Sequence, residues 1–418
     1  MSTAAALDVL IVGAGPAGCA TALALRQAGV RRVALLESRP KAAAPGWRLG
    51  ESATPDVPGL LERLGLAWPA GHRPCLGNAS AWGQALWLDD FARRRLPPAW
   101  HVDRELLDEQ LRGAAVQSGA LLLRGHALDA VRRLEPGWQV ELRAGADGER
   151  PGAATRLGAR LLVDASGRAA VLARCLGAQR QAVDRQVALA SPWPGAEPAG
   201  GWPAPGPAHP LHQRVLVEAV PEGWWTAAPD ALGRPQLALM TDADLTPALR
   251  APQAWWAALR RSRALWPALA PWAPPEMAPE GLRPRPCAAH AACLDRVAGP
   301  GWLALGDAMM SLDPLTSSGL SGSLRDAWEA CHGVLLPWLA GQDAAPPGRA
   351  WGWRARSAWE AFLRERRERH AQAAQWPQMP YWQRRLPPPH AAPWGETAVP
   401  PALSSPRSSR TAPHPLSP

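Results

Sequence analysis

The 418-residue sequence predicts an α/β protein: a Rossmann-like nucleotide-binding domain interrupted by an antiparallel-sheet domain and followed by C-terminal helices. Three observations carry this. A short apolar run, Leu7 to Val12, enters the glycine turn Gly13-Ala14-Gly15-Pro16-Ala17-Gly18 and then an Ala/Leu-rich stretch. Two later segments, Ala159 to Arg168 and Gly301 to Leu320, repeat an apolar strand that ends in an acidic turn, Asp164 in one and Gly306-Asp307 in the other. Between them, Gln213 to Ala219 and Gln236 to Thr241 alternate apolar and polar residues, the period of a strand with one buried face.

Leu7 to Val12 reads as a buried parallel strand. Cys19 to Ala28 has good helix propensity and ends at Gly29, a natural residue for leaving a helix. Val33 to Leu36 is a second strand, closing on Glu37. A lone glycine motif matches often by chance; here the strand before it and the helix after it give each glycine a task. Gly13 permits the tight turn, Gly15 lets the backbone approach a pyrophosphate, and Gly18 lets the helix pack close to the strand, with Pro16 and Ala17 opening the helix. The helix start offers free N–H groups to phosphate. Glu37 is placed to accept from ribose hydroxyls and disfavours a 2′-phosphate, so the nucleotide is NAD-like or FAD rather than NADP. Asp307, at a strand end, can accept from a polyol hydroxyl, and Gly319 to Gly322 at a helix start can approach a phosphate or a flat ring.

The order GAGPAG, GESATP (Gly50 to Pro55), WHVDRELLD (Trp100 to Asp108), DASGR (Asp164 to Arg168) and GDAMMSLDPLTSSG (Gly306 to Gly319) resembles FAD-dependent oxidoreductases of the aromatic-hydroxylase-like fold. Within them it is most similar to the flavin-dependent tryptophan halogenase superfamily, on the side of its non-halogenating members linked to quinone-cofactor maturation. The resemblance runs from about Leu7 to Arg385 and includes GWWTAAP (Gly223 to Pro229), ALMTDADL (Ala238 to Leu245) and QWPQMPYWQRR (Gln375 to Arg385). It implies FAD as cofactor, with the pyrophosphate on Gly13, Gly15 and Gly18 and the adenosine ribose on Glu37. It implies Arg104 near the phosphates, Asp307 on the ribityl chain, and Pro314, Ser317, Ser318, Gly319 and Leu320 along the isoalloxazine. Glu51, Ser52, Asp164 and Gly306 fall in segments that the resemblance sets beside the cofactor.

The departures bear on the reaction. Halogenases of this superfamily carry a catalytic lysine after the GES-like segment, whereas the single lysine here is Lys41, before it. Their flavin-side glutamate is replaced by Thr316, and their WxWxIP signature by Gly223 to Pro229. A guanidinium, with its delocalised permanent charge, does not take the place of an amine that must be chlorinated. The expected function is therefore an FAD-dependent oxidoreductase, a monooxygenase acting on an aromatic small molecule or on an aromatic group of a partner protein. A halogenase is the enzymatic alternative, and a flavin-binding assembly factor that docks to a partner is the alternative of another class. His101 and Thr316 are the candidate catalytic residues. Trp82, Trp224 and Trp225 are candidate pocket walls or core. Electrons would come from NAD(P)H or a flavin reductase, since no second glycine motif is present.

The motifs recur along the chain, so the nucleotide domain is expected to be discontinuous: 1–73, 100–174 and 285–345, with 74–99 and 175–284 as substrate domain, 346–385 as a helical segment and 386–418 as a Pro-rich disordered tail. The composition, with 47 Pro, 38 Gly and 23 Trp against 2 Phe and 1 Tyr, follows GC-rich codons. The net charge of +9, almost wholly scattered Arg, is for the same reason no sign of nucleic-acid binding. Six cysteines without a CxxC suggest neither a disulfide framework nor a metal site. Without a membrane-length apolar run or a leader-like start, a cytoplasmic protein is expected. Asp242 and Asp244 read as surface acids, and the mixed charges at 364–369 as a solvated helix face.

Overall fold

The computed structural model describes residues 7–40, 51–144, 155–195, 197–199, 201–272, 276–373 and 375–386. Lys41, Gly50 and the tail beyond residue 386 lie outside them.

The first large sheet is built on strands β1 (Leu7–Val12), β2 (Val33–Glu37), β8 (Leu121–Arg124), β11 (Thr155–Asp164) and β20 (Trp302–Ala304). They run parallel in the order β20-β11-β1-β2-β8. Their near-continuous Val, Leu, Ile and Ala runs are what a sheet covered on both faces requires. A hairpin of β9 (His126–Leu134) and β10 (Gly137–Ala144) pairs onto β11, and the two-residue β19 (Ala298–Gly299) onto β20. From β1 the chain goes to β2 on one side, and β11 lies on the other. Ligands of doubly wound sheets bind in the crevice at such a reversal, outside the carboxyl ends of the strands. Val12 is in register with both Leu36 and Asp164, and Asp164 with Ala304, so the Gly13, Glu37, Asp164 and Gly306 turns share one edge.

Helix α1 (Pro16–Gln27) and helix α7 (Gly319–Ala330) pack side by side over that sheet. Between them in the chain come α2 (Val57–Arg63), α3 (Arg104–Gln117), α4 (Val171–Cys175), α5 (Pro252–Arg260) and α6 (Leu265–Ala268). After α7 follow α8 (Leu336–Leu339), the 28-residue α9 (Ala345–Gln372) and α10 (Pro380–Gln383).

The second large sheet has the order β17-β13-β16-β15-β14-β5-β6. Its members are β5 (Gly77–Ala81), β6 (Trp87–Asp90), β13 (Gln186–Pro192), β14 (Arg214–Val220), β15 (Gly223–Pro229), β16 (Pro235–Asp242) and β17 (Arg285–Ala288). All pairs are antiparallel except β14 with β5. The alternating segments are strands of this sheet as expected, but not with one open face: β14 is buried except at Val215 and Val217, and β16 throughout, because both faces are covered. Strand β17 lies within it although its sequence was assigned to the nucleotide domain, because its backbone pairs with β13 from Val187 to Ala190. One face packs on α5 and α6 through Trp225, Trp255 and Trp256; the other on α10 through Trp82, Trp224, Tyr381 and Trp382. Two small sheets complete the molecule: β3 (Glu51–Ala53), β7 (Ala99–Val102) and β4 (Arg73–Cys75); and β12 (Arg180–Ala182), β18 (Ala292–Leu294) and β21 (Met310–Ser311). No helix among the described residues is long and apolar enough to cross a membrane.

Candidate cofactor site

The glycine turn is fixed by three different constraints. Gly13 has φ +107°, and a Cβ on it would lie 2.3 Å from the carbonyl oxygen of Ala165. A Cβ on Gly18 would lie 1.9 Å from the carbonyl oxygen of Gly13, so only glycine lets α1 sit this close to β1. Gly15 is extended, and a Cβ there would meet nothing within 4 Å. Its face opens onto space at the start of α1, where no side chain caps the free N–H groups. That is the arrangement a pyrophosphate requires. Arg112 of α3 holds the turn from behind, donating from Nε to the carbonyl of Ala14 at 3.0 Å. Glu37 closes β2 with Oε1 accepting from the Arg39 N–H at 2.9 Å.

On the opposite side of the edge, β20 runs into Gly306, whose φ is +56°. A Cβ here would come to 3.0 Å from both the Ala17 Cβ and the Ser323 Oγ, so α1 and α7 begin side by side at this glycine. The Gly306 N–H donates to Asp326 at 3.1 Å, and Asp326 pairs with Arg354 of α9 at 2.7 Å. Asp307 is held by its backbone, since Arg180 donates to the carbonyls of Asp307 and Ala308. Its carboxylate is 42% exposed, and the nearest cation is Arg168 Nε at 4.0 Å. Burial pushes this carboxyl above the ordinary range. An acid set deep in the edge with an open carboxylate is suited to polyol hydroxyls.

The segment Pro314–Thr316 is a single 3₁₀ turn, Ser317 is left-handed at φ +49°, and Ser318 precedes α7. Added Cβ atoms on Gly319 and Gly322 would meet nothing within 4 Å. This second open helix start lies beside the first, joined through Gly306.

Residues 6–191 match the family model described as FAD binding domain. The chain is an FAD-dependent oxidoreductase. Among proteins similar to this oxidoreductase is one named FAD-dependent oxidoreductase LodB, from Marinomonas mediterranea, 25% identical over 90% of this chain and 96% of that one. A tryptophan 2-halogenase of Chondromyces crocatus is 27% identical over 80% of this chain and 62% of its own length. The flavin-dependent halogenase CmlS shares the fold with a TM-score of 0.76, at 20% identity, covering 93% of this chain and 69% of that one. The structure of the peptidyl tryptophan dihydroxylase QhpG, essential for tryptophylquinone cofactor biogenesis, matches with a TM-score of 0.63 and 26% identity, covering 91% of this chain and 79% of that one. FAD is the cofactor of the oxidoreductase, and the open glycine faces and the exposed Asp307 carboxylate fit it.

Several sequence-predicted residues of the oxidoreductase have other partners. Asp164 is fully buried: Oδ1 accepts from the N–H and hydroxyl of Ser166, and Oδ2 from the Ala173 N–H. It shapes its loop from within and offers no carboxylate to a cofactor. Arg104 lies between Glu51 at 2.5 Å and Asp108 at 3.2 Å. Burial opposes its charge, but the two acids outweigh burial and keep the guanidinium charged. Ser52 shares a 2.9 Å hydrogen bond with His101 Nδ1. His101 is 1% exposed, and burial, aided by Arg73, pushes its pKa down to about 3, so near neutrality it is a neutral imidazole rather than an imidazolium acid. Thr316 Oγ1 donates to the Asp313 carbonyl and shares a hydrogen bond with Ser318 Oγ, which makes it a turn residue. Trp82, Trp224 and Trp225 are all buried and form the two cores of the second sheet. Asp242, expected at the surface, is 1% exposed and paired with Arg384 and Arg385; Asp244 is the exposed acid of the two. The sequence reading missed Arg112, Asp326 and Arg354; only the i, i+4 spacing of Asp108 and Arg112 hinted at any of them.

Proposed function

We propose that this oxidoreductase is a monooxygenase acting on an aromatic group, with a protein-borne tryptophan as its substrate. FAD would lie along the carboxyl edge of the first sheet. The Gly13–Gly18 turn would hold the pyrophosphate, Glu37 the adenosine ribose and Asp307 the ribityl hydroxyls. The ring would rest on Pro314 to Leu320, with Glu51, Ser52 and Arg104 beside it. FAD supplies two-electron redox chemistry and, once reduced, reaction with oxygen. The chain supplies the binding and the orientation: the helix starts at Gly15 and Gly319 fix the two ends of the cofactor.

The observation that carries this reading over halogenation is the absence of any lysine after the Glu51 segment. Every other cationic side chain but histidine is arginine, and Thr316 is engaged in its turn. The similarity to a peptidyl tryptophan dihydroxylase over 91% of the chain supports tryptophan as the acceptor. Electrons would come from NAD(P)H or a partner flavin reductase.

The test is mass spectrometry of a tryptophan-containing peptide after incubation in air with the FAD-loaded protein, NADH, a flavin reductase and bromide. Gain of one or two oxygen atoms on the indole is the expected result. A bromine isotope pattern overturns the reading in favour of a halogenase. An unmodified peptide beside a flavin that cannot be reduced favours a docking factor.

A further inference from the structure

We propose that Arg366, on α9, is a positioning residue that sets the flavin-side turn against the second sheet; this rests on the placement of FAD given above. Its neighbours Arg364-Glu365 and Arg367-Glu368-Arg369 have the look of a solvated helix face, but the Arg366 side chain is 12% exposed. Its guanidinium joins two carboxylates from remote parts of the chain. Nε donates to Asp313 Oδ2 at 3.0 Å, and Nη2 donates to Asp184 Oδ2 at 2.5 Å.

Each of these acids organises one side of the junction. Asp313 Oδ1 accepts from the Leu315 N–H at 3.0 Å, and its carbonyl accepts from the Thr316 N–H and Oγ1. Those bonds shape the turn that leads through Ser317 into α7. Asp184 Oδ1 accepts from the N–H of Gln186, the first residue of β13, at 2.9 Å. Gln186 Oε1 then accepts from the Tyr381 hydroxyl at 2.6 Å, and Arg385 pairs with Asp242, the residue opposite Gln186 on β16. One buried polar chain therefore runs from the flavin-side turn, through Arg366, to the end of the second sheet.

The planar fork of an arginine suits this place, because it can satisfy two carboxylates in different directions at once; an ammonium would act as a point charge. Burial opposes the charge on Asp313, yet Arg366, His370 and the Leu315 N–H together hold its carboxyl below the ordinary range. Without Arg366 the two acids face each other with no cation between them, and the turn loses its anchor. The Gly13–Gly18 turn is held by other contacts, so the ring environment should change more than the affinity for FAD.

The experiment compares FAD affinity, the flavin absorption band and the flavin midpoint potential in the loaded parent, Arg366→Met, Arg366→Lys and Asp184→Asn. Arg366→Met should bind FAD within about threefold of the parent, as expected for distant independent sites, while shifting the band and the potential. Arg366→Lys should shift both less, and Asp184→Asn, which removes only one of the two carboxylate partners, should also shift both less than Arg366→Met. Should Arg366→Met not fold, Asp184→Asn, which keeps the Arg366–Asp313 pair, carries the same readout. An unmoved band and potential in flavin-bound variants overturns the proposal, as does a lower melting temperature with no spectral change. Gly15→Val separates the two readings: retained flavin in that variant breaks the cofactor placement itself. Flavin lost there, with Arg366→Met spectrally silent, breaks only the role of Arg366.

Discussion

The two large sheets solve one packing problem with opposite materials. The first is built from small and branched residues, Val9 to Val12, Val33 to Leu36 and Leu161 to Val163, and brings helices so close that Gly13, Gly18 and Gly306 have no room for a methyl group without a shift of their neighbours. The second is filled on both faces with indoles: Trp225 stacks edge-on to Trp255 at 4.9 Å, and Trp82 edge-on to Trp382 at 5.8 Å. The difference teaches where a fold keeps space. The first sheet is tight along its strands and open at one edge, around Gly15, Asp307 and Gly319. The second closes its interior with bulk and finds a partner for several of the indole N–H groups, such as Trp382 with the Val220 carbonyl at 2.8 Å.

Substitutions should break this contrast in graded ways. The largest effect is expected from Trp382→Ala, because a fully buried indole leaves a cavity costing about 3–5 kcal/mol. Thermal melting should fall steeply, while flavin bound at low temperature persists; loss of flavin with unchanged melting would contradict the division between the sheets. Asp242→Asn breaks an ion pair in which both side chains are 2% exposed, for a cost of about 3–5 kcal/mol by denaturant unfolding. Asp307→Asn should weaken FAD by about 1.5–3 kcal/mol, the worth of a charge-assisted hydrogen bond, in equilibrium dialysis. Melting of the apoprotein should not fall, since burial already disfavours the charged form of that carboxyl.

The remaining effect is a pH slope rather than a fixed loss. Burial lowers His101 to about 3 and His370 to about 4, from an ordinary 6.5. Both are neutral in the folded chain, whereas the unfolded chain protonates them near the ordinary value. Their contribution is therefore whole above about pH 6.5 and is lost as pH falls, by at most about 1.4 kcal/mol per pH unit for each group. His101→Gln should flatten the fall in melting temperature between pH 6.5 and pH 4; an unchanged slope would refute the assignment.

How much was legible in the sequence depended on whether a constraint was local. The turn from Val12 to Gly18, the helix ending at Gly29 and Glu37 at the end of β2 were readable, because each depends on neighbours a few positions away. Asp164 misled the reading, since an acid at a strand end looks alike whether it faces a ligand or, as here, its own loop. Trp82, Trp224 and Trp225 read as either pocket wall or core in a composition rich in tryptophan everywhere, and the structure makes them core. Arg366 was the least legible: its partners lie 53 and 182 positions away, and its neighbours carry alternating charges that solvent would satisfy equally well.

The order of the second sheet also dictates when it can be finished. Strand β5, ending at Ala81, waits for β14, which begins at Arg214; β13 waits for β17 at Arg285; and the face carrying Trp82 and Trp224 is covered by residues that come late in the chain, Ala373, Tyr381 and Trp382 among them. During synthesis from the N-terminus, the glycine turn and its first strand pair are complete within the opening forty residues, while a large aromatic surface stays bare until almost the whole described chain has emerged. Non-local pairing of this kind is slow and prone to aggregation. A chain cut before Tyr381 is therefore expected to leave part of that aromatic face uncovered and to aggregate more readily than the full chain.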